Sequence, residues 1–252
     1  MSLLEILILG LVQGVTEFLP VSSSGHLVLM QSFIGIDEPG STIEIVLHLG
    51  TLLSILVVFY NDILNIITSI FLKETQKFIL LIIISTIPVI IFGLSFKDFI
   101  YALFDSKTAV SMFLLFTGSF LLLSTFFKSR NISISYYQAI LIGFAQALAI
   151  FPGISRSGMT IGLSMMLGVN PKDSARFSFF LAFPVILGAT LITLLDSGGT
   201  ANQIPIYILI GGFLSSFLSG IISLKILFRF LEKGNFYFFG IYCLILGLYN
   251  LI

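Results

Sequence analysis

Charged residues and cysteines are both scarce in this sequence. Its 252 residues include 12 Lys or Arg and 12 Asp or Glu, which is 10% charged, whereas soluble domains carry roughly 25%. Because the two signs cancel, the sequence gives no electrostatic basis for a nucleic-acid partner. The single cysteine, Cys243, excludes a disulfide framework and a cysteine metal site. The N-terminus has no basic stretch, so we do not expect a removable signal peptide.

Apolar residues, in contrast, dominate the chain. They make up 57% of it, and the mean hydropathy is +1.13. A helix that crosses the bilayer needs about 20 mostly apolar residues. Six runs approach this length and predict transmembrane helices, at 44–61, 78–96, 109–127, 175–195, 205–224 and 236–252. The sequence therefore predicts an all-α integral membrane protein.

Two further apolar regions, 3–35 and 136–168, are each broken near the middle by Pro, Gly and Ser. The breaks contain the strings "EFLPVSSSGHLVL" (17–29) and "FPGISRSGMTIGL" (151–163), which we call the first and second polar segments. They leave halves too short to cross a bilayer, and broken helices persist at membrane depth only where protein or a wet cavity surrounds them. We therefore predict two re-entrant helical hairpins.

Basic residues predict how the chain is oriented in the membrane. Nine Lys or Arg residues fall in the connections on one side of the threaded spans, and only Lys97 and Lys107 fall on the other. Because cytoplasmic loops are enriched in Lys and Arg, the side with nine is predicted to be cytoplasmic. The first hairpin then enters the membrane from outside and the second from inside, so that the two polar segments face each other.

An internal repeat supports this pairing. At an offset of 133 residues, 9–26 aligns with 142–159 without a gap and with six identities in eighteen positions. Each half then holds one hairpin and three crossings, and an odd number of crossings inverts one half relative to the other, as in many transporters. We predict one membrane domain over 1–252, with an inverted-topology repeat of approximately 1–127 and 136–252.

The first polar segment, with the helix before it, carries groups suited to phosphate chemistry. Gln13 and Glu17 are four residues apart and share one helix face. Pro20 ends that helix, and the serines at 22–24 are good N-caps for the next helix, whose free N–H groups suit a phosphate. Glu17 would repel phosphate unless it held a divalent cation or took part in proton transfer. His26 could relay protons or activate a serine nucleophile.

The second polar segment adds a positive charge. A Pro-Gly pair that ends at Gly153 breaks the chain, and Ser155 or Ser157 can cap the helix that follows. Arg156 offers a guanidinium fork for phosphate oxygens, and Thr160 offers a further hydroxyl. Two opposed helix N-termini, an arginine and several hydroxyls predict one joint site for a polyanion such as a diphosphate.

Structural roles stay open as alternatives for these residues. Small residues and hydroxyls also pack helices together in membranes, and Gln13 and Gln146 could be interhelical hydrogen-bonders. Arg156 and Glu17 could form a purely structural ion pair, although an ionisable residue inside a membrane is a functional candidate because its burial is costly. His48 lies in a predicted span without a motif, and we interpret it as a packing or gate residue.

The strings "QGVTEFLPVSSSGH" (13–26) and "PGISRSGMT" (152–160) resemble the two signature motifs of the bacterial undecaprenyl-diphosphate phosphatase family, also called bacitracin-resistance proteins. Hydropathy, repeat and length agree with that family along the whole chain. The resemblance implies hydrolysis of the C55 polyprenyl diphosphate to its monophosphate and inorganic phosphate, with the site on the outer face of the bacterial plasma membrane. This reaction recycles the lipid carrier for peptidoglycan synthesis and confers bacitracin resistance.

The resemblance also implies residue roles and a divalent cation, Mg²⁺ or Ca²⁺. Carried over by position, the catalytic residues are Glu17, Ser23 as nucleophile or phosphate ligand, His26 as base or proton relay, and Arg156. The residues implied to bind the substrate are Ser22, Ser24, Gly153, Ser155, Ser157 and Thr160. Glu17 and Gln13 match the metal-binding positions, but a glutamine in place of a second acid weakens any scheme in which two carboxylates share the metal.

Two other functions stand as alternatives. Phosphatidic-acid-type lipid phosphatases also carry Ser-Gly-His and Ser-Arg pairs, but their Lys-rich first motif is absent and Gly162 stands where their next histidine is expected. A flippase or transporter of the polyprenyl lipid would share the inverted repeat and the phosphate-binding groups. Partners beyond that lipid and the membrane lipids do not follow from the sequence, and neither does the oligomeric state, for which a homodimer is one option.

Overall fold

The computed structural model describes residues 1–35, 41–196 and 204–251, and within these ranges it contains helices and no strand. In chain order the helices are α1 (Leu3–Phe18), α2 (Ser23–Ile34), α3 (Ser41–Val58), α4 (Tyr60–Thr68), α5 (Lys73–Ser95), α6 (Lys97–Phe104), α7 (Lys107–Ser124), α8 (Tyr136–Leu148), α9 (Arg156–Met166), α10 (Pro171–Asp196), α11 (Ile206–Glu232) and α12 (Tyr237–Tyr249). The expectation of an all-α protein is therefore confirmed.

Four of these helices, α5, α7, α10 and α11, are long and apolar enough to cross a membrane. The helices α3 and α4 meet at a bend of 69° and supply a fifth span if they are counted together. At 13 residues, α12 is shorter than the predicted run 236–252, whose last residue lies outside the described ranges. The chain is thus a multi-pass membrane protein, while the arrangement of six spans with two inverted re-entrant hairpins stays a prediction.

Both regions expected to form hairpins are pairs of short helices, α1 with α2 and α8 with α9. Their N-termini correspond at the offset of 133. Ser2 and Ser135 each begin a capping box, and Ser22 and Ser155 each accept a hydrogen bond from the N–H three residues later. These caps satisfy backbone groups where the apolar sequence is interrupted, which explains why serine stands at each of the four helix starts.

Small residues allow close contact between α1 and α11 and between α8 and α5. A Cβ added at Gly14 would lie 2.0 Å from Ser219 Oγ, and one at Gly143 would lie 2.6 Å from the carbonyl oxygen of Ser85. Ser219 and Ser85 also donate hydrogen bonds to backbone carbonyls of α1 and α8. Helices in membranes associate through such close packing of small residues. It fixes the C-terminal ends of α1 and α8, where the two polar segments begin.

An aromatic cluster lies against the end of α1. Phe18 is fully buried, and its ring meets that of Phe179 edge to face at 5.6 Å. Phe59 and Phe228 extend the cluster around Phe179. Aromatic pairs in this geometry are worth about 0.5–1.5 kcal/mol beyond the area that they bury. Because Glu17 directly precedes Phe18, this packing also holds the backbone that carries the predicted catalytic acid.

Candidate active site

The two polar segments are in direct contact, as the sequence predicted. The Gly153 N–H donates to Ser22 Oγ at 3.1 Å, and Ser157 Oγ donates to the carbonyl of Leu19 at 3.2 Å. A Cβ added at Gly25 would lie 3.1 Å from the Gly153 Cα, so the two backbones approach closely at this point. Gly153 has a φ of +101°, a conformation that side chains other than glycine rarely adopt.

Glu17 forms the centre of the junction. Its Oε2 accepts hydrogen bonds from Gln13 Nε2 at 3.0 Å and from Ser23 Oγ at 2.6 Å. Its Oε1 pairs with Arg156 Nη2 at 2.5 Å. The side chains of Glu17 and Arg156 are only 6% and 13% exposed, so each charge depends on the other for compensation. The predicted acid, the predicted serine and the predicted arginine therefore form one hydrogen-bonded cluster.

Of the three adjacent serines, Ser23 is the one whose hydroxyl contacts the acid. Its proton is directed at Glu17, which is the arrangement that a hydroxyl nucleophile or a water-positioning hydroxyl needs from a general base. Ser22 has a φ of +69°, and its Oγ accepts from the Gly25 and Gly153 N–H groups. Ser24 Oγ lies 3.3 Å from Ser22 Oγ. Ser22 thus stabilises the turn that presents Ser23.

Arg156 is the first residue of α9, and Ser23 is the first residue of α2, so two helix N-termini meet here. Helix N-termini attract anions through their free N–H groups and partial positive charge. Arg156 Nη1 is buried and has no hydrogen-bond partner among the described residues. While Nη2 holds Glu17, Nη1 is therefore a buried charged donor whose hydrogen-bonding capacity is unused among the described residues.

The remaining hydroxyls predicted to bind substrate hold the second segment in shape. Ser155 Oγ accepts from the Gly158 N–H at 3.0 Å and lies 3.2 Å from Ser157 Oγ. Thr160 Oγ1 donates to the carbonyl of Arg156 at 2.8 Å and shares a 2.6 Å hydrogen bond with Ser178. These contacts lie within the protein, and a contact of these hydroxyls with substrate stays a prediction.

His26 lies beside the junction, but its ring nitrogens face other groups. Nδ1 lies 2.8 Å from the carbonyl oxygen of Ser22, and Nε2 lies 2.7 Å from the Tyr242 hydroxyl. A carbonyl oxygen only accepts, so Nδ1 carries a proton and the neutral ring accepts from Tyr242 through Nε2. The two rings also stack at 5.6 Å. In this geometry His26 orients the turn before Ser23, and its role as base or relay stays a prediction.

Besides Tyr242, the partner of His26, sequence reasoning missed two neighbours of the site. His48 Nε2 lies 3.9 Å from Glu17 Oε2, and its Nδ1 donates to the carbonyl of Glu44 at 2.7 Å. Thr117 bridges the second segment, since it accepts from the Ser155 N–H at 3.1 Å and donates to the Gly153 carbonyl at 2.8 Å. The sequence feature that could have pointed to His48 is an ionisable side chain in an apolar span. For Thr117 the only such feature is a hydroxyl group in an apolar span.

The oxygen atoms beside Glu17 determine whether the site fits the predicted divalent cation. Gln13 Oε1 is fully buried and has no partner among the described residues, and it lies on the side chain that already bonds Glu17. No group of three or more His, Cys, Asp or Glu that could hold a metal occurs in the described ranges. Mg²⁺ is commonly held by one or two carboxylates plus waters and substrate phosphates, so one carboxylate and one amide oxygen fit such a cation.

Comparisons with known proteins agree with the motifs. Residues 6–249 match the family described as "Bacitracin resistance protein BacA". A protein of Halothermothrix orenii named "Undecaprenyl-diphosphatase" is 41% identical over 256 residues, which cover 100% of this chain and 98% of that protein. Proteins with the same name from Syntrophotalea carbinolica and Bacteroides thetaiotaomicron are each 40% identical, with 98% of this chain and 97% of each relative covered.

Proposed function

The chain belongs to the bacitracin resistance protein BacA family and dephosphorylates undecaprenyl diphosphate, and we propose that it does so at the junction of its two polar segments. One observation carries the assignment to this site. A buried carboxylate, that of Glu17, accepts the Ser23 hydroxyl proton and pairs with Arg156 between two helix N-termini. A flippase needs groups that bind phosphate but no hydroxyl held against a base, so this geometry does not favour that alternative.

Binding of the diphosphate would use three sources of positive potential. The N–H groups that begin α2 and α9 supply partial charge, and Arg156 Nη1 supplies a full charge with a fixed direction. Because the site is largely buried, these groups act at a lower effective dielectric than they would in water. They are already in position, so little reorganisation is needed as charge develops on the transferred phosphoryl group.

Hydrolysis breaks the bond between the terminal phosphorus and the bridging oxygen, and it releases the lipid monophosphate as the leaving group. Ser23 Oγ either attacks that phosphorus or orients a water that attacks it, and in both cases Glu17 takes the proton. Direct attack gives a phosphoserine that water then hydrolyses to inorganic phosphate. Arg156 stabilises the equatorial oxygens of the phosphoryl group, which carry most of the charge in the transition state.

A divalent cation would neutralise charge on the phosphate oxygens and polarise the scissile group. Glu17 and the orphaned Gln13 Oε1 are the residues that would hold it. We place the site on the outer face of the plasma membrane, as the resemblance to the phosphatase family implies, with the first hairpin entering from the side whose connections are poor in Lys and Arg. A homodimer stays an option, and no described contact bears on it.

The test is phosphate release from a C55 or C15 prenyl diphosphate by the purified protein in detergent, with and without Mg²⁺ or Ca²⁺. We expect the Ser23→Ala and Arg156→Ala variants each to lose at least two orders of magnitude in rate while the protein stays folded. Ser119→Ala is the matched control, since Ser119 is exposed on α7 and bonds only within its own helix. Full activity of Ser23→Ala would refute the assignment of the site, and no release by folded wild type would refute the function.

A further inference from the structure

The turn directly before Ser23 is strained. Ser22 has a φ of +69°, a left-handed conformation that residues other than glycine rarely adopt. Such a conformation costs free energy and persists only where the surrounding contacts hold it. The Gly25 and Gly153 N–H groups donate to Ser22 Oγ and so hold its side chain. Because Ser23 follows directly, the contacts that hold the Ser22 backbone also set the direction of the Ser23 hydroxyl.

His26 supplies the contacts to the backbone carbonyl of Ser22. This oxygen accepts the backbone N–H of His26 at 3.1 Å and the ring Nδ1–H at 2.8 Å. The second hydrogen bond needs the tautomer with the proton on Nδ1 and a lone pair on Nε2. Which ring nitrogen carries the proton is set by the hydrogen bond that the other one makes. That bond comes from the Tyr242 hydroxyl, 2.7 Å from Nε2, so Tyr242 selects the tautomer that bonds Ser22.

The helix that carries Tyr242 is itself fixed against the site. A Cβ added at Gly247 on α12 would lie 2.9 Å from a backbone carbonyl oxygen of α7, so the two helices pack closely. The same α7 carries Thr117, whose hydroxyl bonds the second polar segment. Cys243, next to Tyr242, is buried and lies 3.8 Å from the carbonyl oxygen of Pro20 in the first polar segment. The pair α7 and α12 thus contacts both polar segments and gives the Tyr242 hydroxyl a defined position.

We propose that Tyr242 is a positioning residue of the reaction. Acting through His26, it holds the turn at Ser22. The turn in its place keeps the Ser23 hydroxyl directed at Glu17, which takes the proton. The inference rests on the proposed function and extends it to a residue 216 positions away from His26 in the sequence. It also makes His26 a positioning residue, since both of its ring nitrogens are bonded to groups other than the reacting ones.

The first test is the rate of phosphate release from a C15 prenyl diphosphate by Tyr242→Phe, which loses the hydroxyl and keeps the ring that stacks on His26. We expect kcat to fall about three- to tenfold, the effect of one hydrogen bond, and KM to stay within about twofold. A misdirected Ser23 slows the chemical step, whereas the groups that bind the diphosphate stay in place. Tyr249→Phe is the matched control, because Tyr249 lies about two turns later on α12 and is 77% exposed. Wild-type kcat in Tyr242→Phe would overturn the proposal.

Two replacements of His26 separate positioning from proton transfer. Asparagine carries its amide nitrogen at the δ position, so His26→Asn still donates to the Ser22 carbonyl but is no base. Glutamine carries its amide one carbon further, so His26→Gln loses that donor. We expect kcat of His26→Asn to exceed that of His26→Gln by about tenfold, and Tyr242→Phe to have no further effect on His26→Asn. Equal loss in the two variants, or an undiminished effect of Tyr242→Phe on His26→Asn, would overturn the proposal.

A spectroscopic measurement tests the tautomer without turnover. The sequence has two histidines, so nitrogen-15 labelling of histidine gives two sets of ring signals, which His48→Gln assigns. In wild type we expect a neutral His26 ring with its proton on Nδ1. In Tyr242→Phe, but not in Tyr249→Phe, the Nε2 signal should shift as the ring loses its donor. Identical His26 signals in wild type and Tyr242→Phe would overturn the proposal, even if the variant melts at a lower temperature.

The two proposals fail in different ways. Absence of phosphate release by folded wild type overturns the function, and the role of Tyr242 in the reaction with it. Release by wild type, with an equal kcat in Tyr242→Phe, overturns the role of Tyr242 alone.

Discussion

Replacing Glu17 by glutamine separates the structural and chemical roles of the buried ion pair. Glu17→Gln keeps the shape of the side chain and removes its charge, so Arg156, 13% exposed and 2.5 Å away, loses its compensating partner. Removing one member of a buried ion pair typically lowers the free energy of unfolding by about 3–5 kcal/mol. At about 2–4 °C per kcal/mol for a chain of this size, the melting temperature should fall by roughly 10 °C. The loss of the general base should lower phosphate release by about 10²- to 10⁴-fold.

The double variant Glu17→Gln/Arg156→Gln provides the decisive comparison. Without either charge, no group is left buried and uncompensated, so we expect it to regain much of the lost melting temperature. Its activity should not return, because both the proton acceptor and the phosphate donor are gone. The measurements are thermal unfolding in one detergent at one scan rate, since such transitions are commonly irreversible, and phosphate release well below the lowest transition. Ser119→Ala again serves as control.

Two outcomes would refute this reasoning. If Glu17→Gln melts like wild type, the guanidinium does not depend on the carboxylate, and the burial that we describe does not govern stability. If the double variant is both stable and active, the pair is a structural feature and the chemistry occurs elsewhere. The second outcome is the purely structural ion pair that the sequence left open as an alternative.

Three further predictions test other parts of the structure. Gly14→Ala, whose Cβ would clash at 2.0 Å with α11, should destabilise by about 1–3 kcal/mol, whereas Gly188→Ala, with open space around it, should leave the melting temperature equal or higher. Tyr242→Phe should cost about 0.5–1.5 kcal/mol in unfolding free energy, because His26 loses the hydroxyl at 2.7 Å. Gln13→Glu should lower the Mg²⁺ concentration for half-maximal phosphate release by about tenfold, since added ligand charge tightens cation binding, and an unchanged Mg²⁺ titration would contradict this.

Much of the site could be predicted because its information is local. Proline, glycine and serine interrupt apolar sequence where a helix must end, and the caps at Ser22 and Ser155 confirm where the next helix begins. The internal repeat, at an offset of 133 residues, then predicts from the sequence alone that the two polar segments correspond to each other. The sequence left an ion pair between Glu17 and Arg156 open as one alternative, and the structure shows this pair, in keeping with the high cost of isolated charges inside a membrane.

The residues that were missed depend on packing between distant helices. His48 reaches Glu17 because α3 packs against both α1 and α11, and nothing in the neighbourhood of His48 along the chain marks it. Tyr242 contacts His26 although the two residues are 216 positions apart in the sequence. Tyr242 lies in α12, whose sequence is predominantly apolar. The expectation that His26 serves the serines as a base took no account of such a partner. Local patterns locate breaks and caps, whereas the orientation of a ring depends on which helix lies beside it.

The charge balance of the site explains how a carboxylate can stand where a phosphate must bind. The charges of Glu17 and Arg156 sum to zero, so the pair can be buried without a net charge. Gln13 adds a hydrogen bond to the pair but no charge. A second carboxylate at position 13 would leave the cluster with a net negative charge, which would oppose an incoming diphosphate unless a cation were bound first. With glutamine there, Arg156 Nη1 keeps its positive potential for the phosphate. If the site binds the diphosphate as proposed, we therefore expect glutamine at position 13 to make it less dependent on a cation that binds before the substrate.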